Sequence, residues 1–143
     1  MSTDYKQVRG NLWVIDPVSY WRERTTRILR SAGYGVTFLP EYQIPSLLKA
    51  DEALPDLTIL GCTYVNKVEH KYIQHLLGQR HRLLILCASP SPAVMRLLFR
   101  EGVWDIVPRS EESAKLLGTV QEVLQAIRDR DCYQAVQYRK ELE

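Results

Sequence analysis

With 143 residues, 45% of them hydrophobic, the chain is long enough to bury one core without disulfide or metal staples. Nineteen basic against seventeen acidic side chains leave a formal charge of only +2, too weak a field to hold nucleic acid or an anionic membrane surface. Cys62, Cys87 and Cys132 have no CxxC or Cys/His metal spacing, which points to a reducing cytoplasm; the N-terminus has no apolar signal core, and no stretch reaches membrane-spanning length.

Apolar runs alternate with amphipathic stretches along the chain. Leu12-Trp13-Val14-Ile15 is a short apolar run closed by Asp16-Pro17, and Ser19 to Ala32 sets Trp21, Ile28, Leu29 and Ala32 on one helical face. Gly33 ends that helix, Val36-Thr37-Phe38-Leu39 reads as a second strand, and Ser46 to Leu54 as a short helix stopped by Pro55. The third strand runs from Leu57 to Leu60. A helix over Lys67 to Leu77 places Val68, Tyr72 and Leu76 at four-residue spacing, and Leu83-Leu84-Ile85-Leu86 is the fourth strand. Ser91-Pro92 opens a helix that carries Val94, Leu97 and Leu98 and ends at Gly102; Asp105-Ile106-Val107 is the fifth strand, and a long helical pattern begins at Glu111. Apolar strands separated by single helices predict a doubly wound (βα)5 fold of the flavodoxin-like kind. Its parallel five-stranded sheet, in the order 2-1-3-4-5, is covered on both faces.

An open sheet of this kind binds ligands outside the carboxyl ends of its strands. Those ends are Asp16, Gly61, Cys87 and Arg109. From Asn11 to Ile127 the sequence resembles the CheY-like receiver domain of two-component response regulators. Pro55-Asp56-Leu57-Thr58-Ile59-Leu60-Gly61 matches the third-strand phrase, Leu86-Cys87-Ala88 the fourth-strand end, and Gly102-Val103-Trp104-Asp105-Ile106-Val107-Pro108-Arg109 the fifth-strand phrase. The resemblance implies a magnesium-holding acidic pair, an aspartate that accepts phosphoryl, a hydroxyl residue and a lysine, because the cation and the lysine offset charge on the transferred group.

Mapped onto those positions, the chain departs from the family. Asp16 falls at one acidic position and Pro17 at the other, Gly61 at the acceptor, Cys87 at the hydroxyl and Arg109 at the lysine. Glycine cannot form an acyl phosphate. Asp56 starts the strand, so strand rise puts it roughly 16 Å from the acceptor end. Asp16 alone is a weak magnesium candidate and reads as a solvated turn residue, so no metal and no cofactor are expected. Cys62 and Cys87 lack neighbours that would lower a thiol pKa and read as buried small apolar groups. Arg22, Arg24, Arg27 and Arg30, with Arg80-His81-Arg82, read as solvated faces rather than a nucleic-acid footprint. His70, His75 and His81 lack the i, i+4 spacing of a helical metal site and read as surface residues.

From Glu112 to Glu143 there is no proline, and Leu117, Val120, Leu124 and Ile127 repeat at helical spacing before Cys132, Ala135 and Val136 loosen the pattern. This outruns a receiver's final helix. Residues 1–10 are expected to form an N-terminal extension, 11–128 the receiver-like domain, and 129–143 a helical extension or linker. The first half of the helix should pack on the sheet, with the stripe continuing through Val136 into a homodimer or partner interface. The resulting expectation is a non-enzymatic, phosphorylation-independent signalling module, dimeric, that meets a protein partner or effector domain. The alternative, a small-molecule or catalytic flavodoxin-like domain, lacks support at the first strand's turn. Asp16-Pro17-Val18-Ser19 has no glycine to cradle a phosphate.

Overall fold

A strand buried on both faces is built almost wholly of apolar residues, and the central strands Leu57–Cys62 and Leu83–Cys87 follow this except at Thr58 and Gly61. The computed structural model describes residues 9–39 and 54–142. β1 (Asn11–Ile15), β2 (Gly35–Leu39), β3 (Leu57–Cys62), β4 (Leu83–Cys87) and β5 (Asp105–Pro108) form one sheet in the order β2-β1-β3-β4-β5, every pair parallel. β3 and β4 are buried along their whole length. The connecting helices are α1 (Ser19–Ser31), α2 (Lys67–Gly78) and α3 (Pro92–Glu101); a single 3-10 turn (Arg109–Glu111) leads into α4 (Glu112–Leu142). The expected helix over Ser46 to Leu54 falls outside the described residues except for Leu54, which is not helical.

Two apolar clusters lie on opposite faces of the sheet. Leu12, Val14, Ile59, Leu84 and Leu86 meet Leu29 of α1 and Leu116, Val120, Leu124 and Ile127 of α4. On the other face Ile15, Leu60 and Ile85 meet Ile73 and Leu76 of α2 and Leu98 of α3. Local chemistry ends the helices where the crossovers need it. Asn66 and Glu69 form a reciprocal capping box at the start of α2. Ser91 accepts from the Val94 N–H with Pro92 in the first turn of α3, and Gly102 closes that helix at φ 114°, a conformation side chains disfavour.

Three expectations change. Val68 is 65% exposed, because the buried face of α2 runs through Glu69, Tyr72, Ile73 and Leu76; Leu97 is also exposed, and Leu98 is the α3 residue that enters the core. His81 is not a surface residue. It is 4% exposed, its Nδ1 lies 2.8 Å from Thr58 Oγ1, and its ring packs tilted against Trp13 at 5.5 Å. Its Nε2 is buried without a partner among the described residues, so the imidazolium would carry an unpaired N–H into the core. Burial, and then the neighbouring His75, push the His81 pKa down to about 4.

A depressed histidine pKa means that the unfolded chain takes up the proton first. His81 therefore lends stability in full above its unfolded pKa near 6.5, and this is lost as pH falls towards about 4. The total is about 3 kcal/mol. Urea unfolding between pH 7 and 5 should show the decline, and His81→Gln should flatten it while keeping a partner for Thr58. An equal slope in both proteins would assign the decline to other groups.

Candidate functional site

The strand order reverses between β1 and β3, so the crevice at their carboxyl ends is where an open α/β sheet places a ligand. Asp16 follows β1, Gly61 lies next to last in β3, Cys87 ends β4, and Arg109 follows β5. The fold brings Asp16, Gly61 and Arg109 into contact. Asp16 Oδ2 accepts from Arg109 Nη2 at 2.6 Å, with the two side chains 1% and 9% exposed. Asp16 Oδ1 accepts from the Val18 N–H at 3.0 Å, and its main-chain carbonyl accepts from Arg22 Nη1 at 3.0 Å. The Arg109 guanidinium lies over the Trp21 ring, 4.9 Å from its centroid. Asp16 is therefore a buried, fully engaged carboxylate and not a solvated turn residue.

Gly61 is explained by what lies against it. A Cβ built there would overlap Asp16 Oδ2, Asp16 Cγ and Arg109 Nη2. The ion pair fills the volume that a side chain at this position would need. Among the described residues no cluster of three or more His, Cys, Asp or Glu side chains could hold a metal ion. Pro17 lines the remaining cleft, together with Val18, Trp21, Thr63 and Ala88, but brings no carboxylate. That cleft measures about 110 Å³, well under the roughly 300 Å³ at which small-molecule sites begin. It has no room for a nucleotide or flavin.

The two strand-end thiols are register neighbours, Cys62 opposite Cys87. Burial pushes the Cys62 thiol up steeply, with Glu69 and Cys87 adding to it. Burial also raises Cys87, whose S–H donates to the Thr63 carbonyl at 3.3 Å. Both pack as small apolar groups, since a reactive cysteine needs its thiolate.

Several residues that shape this edge stand outside the family positions. Glu69 is 5% exposed and accepts from the N–H groups of Thr63 at 2.9 Å and Asn66 at 3.0 Å, clamping the loop after β3. That loop holds Val65 at φ 55°, a strained setting for a β-branched residue. The Asn66-x-x-Glu69 spacing is the legible signal for the clamp. Glu112 is fully buried at the start of α4, where the helix N-terminus favours a carboxylate, and it accepts from Thr25 Oγ1 of α1. Nothing in the local sequence marks that pairing. Glu101 bonds to His70 at 2.5 Å and Gln74 at 3.0 Å, tying α3 to α2. Burial alone would raise its carboxyl pKa, yet these bonds hold it below the usual value.

The expected interface stripe also needs correction. Val120, Leu124 and Ile127 are at most 5% exposed within the α1/α4 core cluster, and Leu117 packs against it, so the sheet satisfies most of this stripe. Past Ile127 the helix leaves the sheet, and Val136 is 48% and Tyr133 64% exposed.

No family model and no curated protein matches this sequence. Solved structures do. The chemotaxis response regulator CheY4 of Vibrio cholerae superposes with a TM-score of 0.64 at 22% identity, over 79% of this chain and 97% of that one. A response regulator from Thermotoga maritima gives 0.66 at 13% identity, over 80% and 97%. NtrX from Brucella abortus, in complex with ADP, gives 0.76 at 13% identity over 92% of this chain, which corresponds to 30% of the NtrX chain. A fusion protein carrying the yeast Spc42 trimeric coiled coil gives 0.71 at 15% identity, over 92% and 95%. At such identities the likeness establishes the fold: the chain has the architecture of a response-regulator receiver domain.

The packing at Gly61 leads to two substitutions with different causes. Gly61→Ala overpacks the ion pair and should cost about 1–3 kcal/mol. Asp16→Ala strands the Arg109 guanidinium and should cost about 3–5 kcal/mol. Urea midpoints measure both, and a Gly61→Ala protein as stable as the parent would mean that the pair does not occupy that volume.

Proposed function

We propose that the chain is a receiver-fold signalling module that works by protein–protein interaction without phosphorylation, in the cytoplasm and without enzymatic activity of its own. The observation that carries this reading is the Asp16–Arg109 pair lying on Gly61. The acceptor position has no nucleophile, the acid that remains is engaged by an arginine, and Pro17 offers the cation nothing. Arginine suits this role because its fork is always charged and meets a carboxylate with fixed geometry. The loops are thereby held in one state, and the output is a constant surface rather than a switched one.

The outward route is the tail of α4. The part of the helix beyond Ile127 extends past the core with Tyr133 and Val136 exposed, and a two-stranded seam with a second copy would cover them. Receiver domains pass signals to effector domains through such helices, and a protein partner could take the same surface. The small cleft at the strand ends counts against the ligand-binding alternative.

Incubation with magnesium and a small phosphoryl donor, or with beryllofluoride, should leave intact mass and the NMR spectrum unchanged. Stoichiometric acid-labile phosphate would overturn the reading. Gly61→Asp alone should take up little label, because the new carboxylate meets Asp16 and Arg109 and still lacks an acid at Pro17; catalytic parts act as a unit.

Association is tested by length. A chain ending at Asp131 keeps Leu116, Val120, Val123, Leu124 and Ile127 in place and should melt near the parent temperature while sedimenting as a monomer. A parent that is itself monomeric at high micromolar concentration would refute self-association.

A further inference from the structure

Away from the strand-end crevice, the outer side of α1 and the edge strand β2 enclose a groove of about 410 Å³, lined by Glu23, Thr26, Arg27, Arg30, Ser31 and Phe38. That volume falls in the range of small-molecule sites. The helix residues recur at three- and four-residue spacing, so they form one continuous wall, about 12 Å long from Glu23 to Ser31. Phe38 stands opposite and is 45% exposed, with the guanidinium carbons of Arg22 and Arg30 each 5.8 Å from its ring centroid. Two of the nearby cations are committed. Arg30 donates to the Val36 carbonyl at 2.8 Å, and Arg22 donates to the carbonyl of Asp16. Arg27 is exposed and has no hydrogen-bond or ionic partner among the described residues. Thr26 is 5% exposed, and its buried hydroxyl has no hydrogen-bond partner among the described residues. A buried hydroxyl without a partner is uncommon in a settled protein surface.

We propose that this groove binds a small anionic amphiphile, with its apolar body against Phe38 and the α1 wall and its carboxylate or sulfonate on Arg27. Two lining arginines, Arg27 and Arg30, against the single acid Glu23 favour negative charge, and the exposed aromatic ring selects for an apolar body. The site is separate from Gly61, so it stands or falls independently of the phosphorylation-independent reading.

The test uses the full chain and anilinonaphthalene sulfonate, whose fluorescence rises in apolar surroundings. Saturable one-to-one binding is expected, displaced by decanoate but not by inorganic phosphate at the same concentration. Arg27→Glu and Phe38→Ser should each weaken it at least tenfold. Both positions are solvent-exposed, and thermal melting of each variant checks that the fold is kept. Absent or unsaturable binding overturns the proposal, as does equal binding by both folded variants. Displacement by phosphate as effective as by decanoate would also overturn it, by removing the role of the apolar body.

Discussion

One buried ion pair organises the carboxyl edge of the sheet. Removing two charges from water costs several kcal/mol each, and the cost is recovered only where geometry is good and the remaining polar atoms are met. Asp16 meets this condition on both carboxylate oxygens, with Arg109 on one and the Val18 N–H on the other; Trp21 covers the guanidinium, whose Nη1 is buried without a hydrogen-bond partner among the described residues. The pair spans from the end of β1 to the end of β5 across β3 and β4, and it lies on the β3 backbone at Gly61. Glycine at position 61 lets that contact lie against the β3 backbone.

The same edge is braced from the side. Glu69 holds the loop after β3, Glu112 joins α1 to α4 through Thr25, and Arg24 reaches Ser113 across the same helix pair. Buried carboxylates at helix starts also gain from the local field of the backbone dipoles, which suits both Glu69 and Glu112 to these places.

Much of the architecture was legible because β3 and β4 are buried on both faces and read as mostly apolar runs, broken only at Thr58 and Gly61 of β3, while the intervening helices keep a helical period. Where the reading slipped, two registers satisfied the same spacing. Val68, Tyr72 and Leu76 fit a stripe, but the real face is turned towards Glu69 and Ile73, and Leu97 and Leu98 present the same ambiguity. The exposure of Asp16 could not be read locally, since its partner lies 93 residues away. His81 was hidden for a similar reason: Thr58 and Trp13 reach it from other strands. The strand-end positions themselves were legible from order alone. Only the three-dimensional packing explains why a glycine stands among them.

Gly61 also governs how sequence can drift around it. A side chain there displaces the Asp16–Arg109 pair at a cost in stability, and losing either half of the pair leaves the other charged and buried. The positions are therefore epistatic, and neutral change at one is closed while the others stand. A glycine that looks like a missing residue behaves as a constrained one, and homologues should vary at 16, 61 and 109 together or not at all.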